Sequence, residues 1–307
     1  MMQRKDFVER MNDSKNTYRA KGIECQTLPS ETCPFKKCDG KGILEYINWE
    51  KKVDSIDNPQ AYLQKEHEIQ WQEPCDCYEQ LEINRSIAEK IQTAGIPMKF
   101  SKSKVHSFKT DCYTKPTSRD AAEIAKKMAI QFVERYEELE DIGKGLYFCS
   151  KTKGSGKTRL VSSIANAIIS KYLRSLMFIK AADLSAQVRK TYNKNSNVSE
   201  DEVLKIFRTV DVLVVDDLAV DDKTGYSEDL LGKILDYRMD NKLLTLITSN
   251  MTIDEIDTFY TKGIVGSRIR KLCYEVLMPE ESVRDQEAAQ ENSQVEQILF
   301  GVGGEVK

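Results

Sequence analysis

The sequence lacks long hydrophobic runs, a strong net charge and an apolar stretch near its N-terminus. No apolar run in its 307 residues approaches the roughly 20 that cross a bilayer. Lysine and arginine total 46 against 49 acidic residues, a net charge of −3, which argues against nucleic-acid binding over the whole surface but not against a local basic groove. Residues 1–15 alternate in charge and do not resemble a signal peptide. We therefore expect a cytoplasmic protein with no membrane partner.

Eight cysteines are present, and most lie in the first quarter of the chain. In the cytoplasm such cysteines are more often metal ligands or free thiols than disulfides. Two close pairs, spaced C-x4-C and C-x-C, fit a closed tetrahedral Zn²⁺ site, which is structural because no coordination position stays open. The candidate ligands are Cys33, Cys38, Cys75 and Cys77. Alternatively, some of them are buried thiols, with Cys25 and His67 as substitute ligands.

From residue 145 onward, short apolar strands alternate with amphipathic helices. The predicted strands are 146–149, 177–179, 212–215, 243–248 and 274–277. The predicted helices are 158–172, 182–192, 199–207, 227–239 and 253–260. This alternation predicts an α/β fold whose mostly parallel sheet is flanked by helices on both faces. Two helices are predicted before it, over 78–94 and from the N-cap Ser118 to about residue 139.

A glycine-rich segment follows the first predicted strand of this region and opens a helix. In that context backbone N–H groups turn toward phosphate oxygens, and the helix N-terminus adds partial positive charge. The candidate nucleotide-binding residues are Gly154, Ser155, Gly156, Lys157 and Thr158. Lys157 would contact the β- and γ-phosphates of ATP, and Thr158 would contact Mg²⁺. The full motif has glycine where this chain has Lys151, which either strains the turn or adds a phosphate contact.

Polar side chains end two of the following strands. Asp216 and Asp217 close an apolar strand, so we expect them beside the phosphate loop. Asp216 would hold Mg²⁺ and Asp217 would orient the attacking water. Asn250, after the next strand, would sense the γ-phosphate or position the water. Arg268, with Arg270 in reserve, is where ring-forming ATPases carry an arginine that reaches a neighbouring subunit's nucleotide. The structural alternatives are a solvated strand end, a turn-forming asparagine and an exposed helical arginine.

Several segments together resemble the AAA+ ATPases of the bacterial helicase-loader group, the DnaC/DnaI type, and the related IstB-type transposition ATPases. The segments are 211–218, 235–238, 246–250 and 94–97, the last followed by an aromatic at Phe108. The resemblance covers roughly residues 79–284. It implies an AAA+ core, and it makes Arg284 a candidate second nucleotide-sensing arginine.

The resemblance also implies two contacts with other molecules. In such loaders the segment corresponding to 183–207 contacts single-stranded DNA. Here it carries a basic cluster with an aromatic, which suits backbone tracking and base stacking, although a solvated helix end is the alternative. The cluster consists of Arg189, Lys190, Tyr192 and Lys194. DnaI-type loaders also carry an N-terminal zinc-binding domain that docks on the helicase, which IstB-type proteins lack.

These observations predict a zinc-binding adaptor domain over 1–95, a linker over 96–116, an AAA+ ATPase domain over 117–284 and a flexible tail over 285–307. The predicted function is ATP-dependent loading of a hexameric DnaB-type helicase onto single-stranded DNA in replication initiation. Hydrolysis would be slow and partner-regulated, and ATP binding would favour self-association. One alternative is an IstB-like ATPase that assists a transposase. Another is a zinc adaptor that no longer hydrolyses ATP.

Overall fold

The computed structural model describes residues 4–190, 199–219 and 224–300, and the chain divides into two compact units, Met1–Ser86 and Ile87–Lys307. In the first unit, three strands form an antiparallel sheet in the order β1-β2-β3. They are β1 (Ile23–Cys25), β2 (Ile43–Asn48) and β3 (Gln70–Pro74). The helices are α1 (Arg4–Arg19), α2 (Trp49–Asp57), the short α3 (Glu66–Ile69) and α4 (Tyr78–Thr93), which extends past the unit boundary.

The core of this first unit is small and centres on cysteines. Among the described residues, Leu44 is the only fully apolar side chain that is buried with the four cysteines, and Tyr46 and Leu81 pack partly against them. So small a core gives limited hydrophobic stabilisation, which is typical of modules that depend on a metal or on disulfides.

The second unit contains nine further helices and five strands among its described residues. The helices are α5 (Pro116–Glu134), α6 (Tyr136–Ile142), α7 (Lys157–Tyr172), α8 (Ala181–Lys190), α9 (Glu200–Thr209), α10 (Gly225–Asp240), α11 (Ile253–Phe259), α12 (Ile264–Leu272) and α13 (Val283–Phe300). The strands are β4 (Gly145–Cys149), β5 (Leu176–Lys180), β6 (Val212–Leu218), β7 (Leu244–Ser249) and β8 (Cys273–Leu277).

The five strands form one parallel sheet in the order β5-β6-β7-β4-β8. Alternate residues of β6 enter different cores, since Val212 and Val214 pack with α5 and α7, whereas Leu213 and Val215 pack with residues of α8 to α12. A strand buried on both faces reads as a continuous apolar run, as β6 does. The predicted α/β fold with helices on both faces of a parallel sheet is confirmed.

The start of α5 differs from the prediction that Ser118 is its N-cap. The helix begins at Pro116, and Lys115 precedes it without a side-chain capping bond. Proline suits the first helical position because its φ is already helical and the N–H it lacks would have no intrahelical partner there. Ser118 is instead buried in the first turn.

Two stretches predicted to be linker or tail also carry structure. Residues of the 96–116 stretch, including Ile96, Val105, Phe108 and Tyr113, are buried in the core against α5 and α7. Residues 283–300 form α13, where we expected a flexible tail from residue 285. Among the described residues, no helix is both long enough and apolar enough to cross a membrane.

Candidate functional site

The phosphate loop connects β4 to α7, as the sequence predicts. Gly154 and Gly156 have φ angles of +81° and +91°, a left-handed conformation that glycine adopts without steric cost. A Cβ on Gly156 would lie 3.0 Å from the hydroxyl oxygen of Tyr113. That hydroxyl donates a 2.9 Å hydrogen bond to the carbonyl of Ser155. The loop is therefore positioned by a residue from the stretch that we predicted to be a linker.

Lys157 begins α7, and its side chain folds back into the loop. Its ammonium donates to the carbonyls of Ser150 and Thr152, both at 3.1 Å, and more weakly to the hydroxyl of Ser155. Lys157 is only 5% exposed, and this burial lowers its pKa from the ordinary value. A buried ammonium held by carbonyl oxygens, without an ion pair to a carboxylate, is suited to a polyanion such as a triphosphate.

Lys151 occupies the first glycine position of the motif without adopting a left-handed backbone. Its N–H donates to the Glu280 carboxylate at 2.9 Å, and the same carboxylate accepts from the N–H and the hydroxyl of Thr152. The Lys151 ammonium pairs with Glu255 at 3.0 Å. The lysine thus neither strains the turn nor points at the phosphate position, and Glu280 fixes this end of the loop.

The acidic pair lies at the carboxyl end of β6. Asp216 is 1% exposed, and its carboxylate accepts from the hydroxyls of Thr158 at 3.0 Å and Thr248 at 2.6 Å. Burial raises the pKa of Asp216 above its ordinary value. A hydroxyl beside a carboxylate offers the hard oxygen ligands that Mg²⁺ prefers, so these residues fit that ion.

A cavity of about 850 Å³ brings nearly all the predicted nucleotide-site residues together. Those lining it are Gly154, Ser155, Gly156, Lys157, Thr158, Asp216, Asp217, Asn250 and Arg284. Arg268 is the exception. It lies on α12 outside this lining, half-buried, and its Nε donates to Asp236 of α10. The predicted role of Arg268 in a neighbouring subunit stays a prediction. Arg270 is also elsewhere and pairs with Asp254 and Asp257.

Sequence reasoning missed several residues of this cavity. Phe100, Phe108 and Tyr113 line one part of it, and they come from the stretch predicted to be a linker. Their aromatic character, already noted at Phe108, was the available signal. Lys180, at the end of β5, also lines the cavity. Thr248, within the 246–250 segment, and Glu280 lie outside this lining, and the sequence does not indicate their roles because these depend on contacts with distant residues.

Only part of the predicted DNA-binding cluster lies within the described residues. The guanidinium of Arg189, in α8, lies 5.6 Å from the ring centre of Tyr226. Lys190 ends α8, while Tyr192 and Lys194 lie outside the described residues. This cluster therefore stays a prediction.

The four predicted metal ligands converge in the first unit. Their sulfurs all lie within 4.8 Å of one another, and all four residues are buried. The sulfurs of Cys33 and Cys77 are 3.8 Å apart, those of Cys33 and Cys75 are 3.9 Å apart, and those of Cys38 and Cys77 are 3.5 Å apart. Tetrahedral Zn–S bonds of about 2.3 Å place sulfurs about 3.8 Å apart. The cluster is consistent with a Zn²⁺ site.

The electrostatics of the cluster agree with a cation. Backbone N–H groups of Cys38 and Lys37 lower the pKa of the Cys33 thiol to about 6, which favours its thiolate. Burial and the neighbouring thiols raise the pKa of Cys77. Several thiolates cannot share so small a space without a cation between them. Cys25 is exposed, as is His67, and neither belongs to the cluster.

The parallel sheet, the phosphate loop after β4 and the acidic pair after β6 define an AAA+-like, P-loop ATP-binding core. A model of the family described as "IstB-like ATP binding protein" matches residues 79–291, which is most of the chain, so the protein belongs to this family.

Individual relatives match more narrowly. The replicative helicase loader DnaC of Escherichia coli (strain K12) is 28% identical over 141 residues, which are 46% of this chain and 55% of that protein. The replicative helicase loader DnaI of Bacillus subtilis (strain 168) is 31% identical over 138 residues, 45% of this chain and 42% of that protein. The chain thus spans about half the length of the curated relatives it matches.

A solved structure of "the DnaC helicase loader" also resembles this chain, with a TM-score of 0.50 and 22% identity. The match covers 59% of this chain and 99% of that one. At this identity it supports the fold, and the resemblance expected from the sequence motifs is confirmed by the family and the relatives together.

Proposed function

We propose that this protein is an ATP-dependent loader of a DnaB-type replicative helicase onto single-stranded DNA in replication initiation. The observation that carries the proposal is the pairing of an IstB-like ATP-binding core, similar to DnaC and DnaI, with a separate four-cysteine unit. An adaptor unit beside an ATPase core suits a protein that contacts one macromolecule while ATP controls its hold on another.

The core's own residues support ATP binding with Mg²⁺. Lys157 would exchange its carbonyl contacts for the β- and γ-phosphates, since these are stronger, charge-assisted acceptors. Thr158 and Asp216 would hold the ion between them, directly or through water. Bound Mg²⁺ would supply charge neutralisation at the phosphates.

Three further residues would act on hydrolysis. Asp217, at the cavity surface, would orient the attacking water, and its side chain is shorter than the glutamate common in such ATPases, which favours slow turnover. Asn250 would report the presence of the γ-phosphate. Arg268 would leave Asp236 to stabilise transition-state charge in a neighbouring subunit, so ATP binding would favour self-association. Arg284 would contact the nucleotide from α13.

The test is the solution mass of the full chain mixed with its host's hexameric replicative helicase, with and without ATP and Mg²⁺. We expect a stoichiometric complex whose amount changes with nucleotide, and loss of that nucleotide response in Lys157→Ala. An exposed lysine on α10, in Lys233→Ala, provides the matched control.

Two outcomes would replace the proposal with its alternatives. If protein and helicase elute apart under every nucleotide condition while ATP is still hydrolysed, an ATPase with another client, such as a transposase, becomes the better account. A second outcome is that the full chain shows no ATP hydrolysis above that of Lys157→Ala, even with helicase and single-stranded DNA present. In that case the chain is an adaptor that does not hydrolyse ATP.

A further inference from the structure

We propose that Thr248 is a positioning residue of the ATP site. Its single hydroxyl holds Asp216 and Asp217 so that both of their carboxylates face the same cavity. The proposal rests on the proposed ATP-binding function. It assigns to Thr248, which lies in the 246–250 segment but is not among the predicted nucleotide-site residues, the placement of the Mg²⁺ ligand and of the water-orienting group.

The hydroxyl of Thr248 makes one hydrogen bond to each member of the pair. It donates to Asp216 Oδ1 at 2.6 Å and accepts from the backbone N–H of Asp217 at 2.9 Å. Thr248 is 0% exposed. The hydroxyl therefore donates its one proton to the Asp216 carboxylate and accepts the Asp217 N–H with one of its lone pairs.

The need for this bond comes from a break in the pairing of β6 with β7. Val215 pairs with Ile247, and the next pair is Leu218 with Ser249. Two residues of β6, Asp216 and Asp217, therefore face a single residue of β7, which is the arrangement of a β-bulge.

The bulge explains how consecutive carboxylates reach the same cavity. In a regular strand neighbouring side chains point to opposite faces of the sheet. Here Asp217 has a φ of +55°, an unfavourable conformation for a residue other than glycine, and both Asp216 and Asp217 line the cavity. The Asp217 N–H donates to the Thr248 side chain. Thr248 thereby stabilises the backbone distortion that the site requires.

The neighbouring residue on β7 offers a matched control. Ser249 is equally buried, and its hydroxyl also makes one donated and one accepted hydrogen bond, to the Leu218 carbonyl and from the Met251 N–H. It touches neither carboxylate. Removing it costs a comparable number of buried hydrogen bonds without releasing Asp216 or the N–H of Asp217.

The experiment compares Thr248→Val, Thr248→Ser and Ser249→Ala in the full chain. Two binding readouts are used: a fluorescent ATP analogue in EDTA, and Mn²⁺ binding to the nucleotide complex followed by electron paramagnetic resonance. Valine keeps the shape but not the hydroxyl. We expect Thr248→Val to bind nucleotide in EDTA within about twofold of wild type, because the contacts of Lys157 are unchanged, and to bind Mn²⁺ about 10–100-fold more weakly, the usual cost of losing a group that orients a metal ligand. The turnover number should fall by a similar factor.

Thr248→Ser should restore Mn²⁺ affinity to within a few-fold of wild type, and Ser249→Ala should retain it. Wild-type Mn²⁺ affinity in Thr248→Val would overturn the proposal. So would equal losses in the valine and serine variants, or a loss in Ser249→Ala as large as that in Thr248→Val, because the effect would then be one of packing. Mn²⁺ binding needs no turnover, so failure of the wild type to hydrolyse ATP counts against the proposed function and leaves this test decisive.

Discussion

Arg238 is the side chain whose removal should most disturb the second unit. It is 0% exposed, and in the part of the chain that the structure describes no carboxylate is among its hydrogen-bond partners. Its guanidinium donates six hydrogen bonds, five to backbone carbonyls and one to a hydroxyl. The acceptors are Phe207, Arg208, Val210, Asp211, Leu244 and Thr245. It thus connects the end of α9 and the two residues before β6 with the first residues of β7. Burial lowers the pKa of Arg238 to about 9, so it stays charged at neutral pH.

The expected cost of Arg238→Ala is the sum of opposing effects. Each buried acceptor left without a partner costs about 1–3 kcal/mol, and the truncated side chain leaves a cavity. Removing a buried charge relieves a desolvation penalty of several kcal/mol, which offsets part of that loss. We expect a net loss of about 3–5 kcal/mol in the free energy of unfolding, as when one partner of a buried charged network is deleted. Arg238→Lys keeps the charge but offers fewer donors and should cost less.

The assay is urea unfolding followed by circular dichroism at 222 nm. Both tryptophans, Trp49 and Trp71, lie in the first unit, so their fluorescence would not report on this core. The exposed Lys233 of the same helix provides the control, and Lys233→Ala should stay within about 0.5 kcal/mol of wild type. A loss below about 1 kcal/mol in Arg238→Ala, or equal losses in the lysine and alanine variants, would refute the reasoning.

Three further changes have distinct expected results. Cys77→Ser should abolish stoichiometric zinc, measured by elemental analysis of the purified chain, because a closed site needs all four thiolates. Gly145→Ala should lower the free energy of unfolding, measured in urea, by about 1–3 kcal/mol, because the added Cβ would lie 1.8 Å from the Thr245 carbonyl oxygen. N–H groups before α5 lower the pKa of Glu281 to about 2 from 4.5. That stabilisation is present above pH 4.5 and is lost as the pH falls toward 2, so Glu281→Gln should be less stable at pH 7, with a difference that shrinks in acid.

Each of these has a matched control on the same kind of residue. Cys25→Ser, at an exposed cysteine, should keep full zinc content, and retention of zinc by Cys77→Ser would contradict the assigned ligand set. Gly225→Ala, where an added Cβ meets no described residue within 4 Å, should be tolerated, and an equal cost at both glycines would refute the steric argument. Glu123→Gln, at an exposed position of α5, should show no such pH dependence. A constant difference for Glu281→Gln from pH 7 to pH 3 would contradict the role of its charge.

Several parts of the nucleotide site could be predicted because their chemistry is local. A phosphate loop needs glycines, a lysine and a hydroxyl within a few residues, so the sequence of residues 154–158 is enough to predict one. The apolar run before Asp216 predicts a strand buried on both faces, and the strand's direction places its carboxylates at the edge where the loop lies. The close spacing of the paired cysteines likewise predicts that they come together, because both pairs must bind the same ion.

Other parts depend on pairings that no short segment encodes. The polar neighbours of Tyr113 predict a linker, and nothing near it in the sequence indicates that its hydroxyl donates to the Ser155 carbonyl. The prediction that Ser118 is the N-cap of α5 is wrong because the helix begins two residues earlier, at Pro116, and proline is favoured at the first helical position.

The sequence by itself therefore determined the sheet, the phosphate loop, the acidic pair and the cysteine cluster, because short-range periodicity and ligand spacing specify each of them. Only the tertiary structure decided how the site is held: the bulge opposite Thr248, the Glu280 contact with the loop, and the carbonyl cage around Arg238. Each of these depends on hydrogen bonds that join residues distant in the chain. Such bonds form only once folding brings the distant segments together.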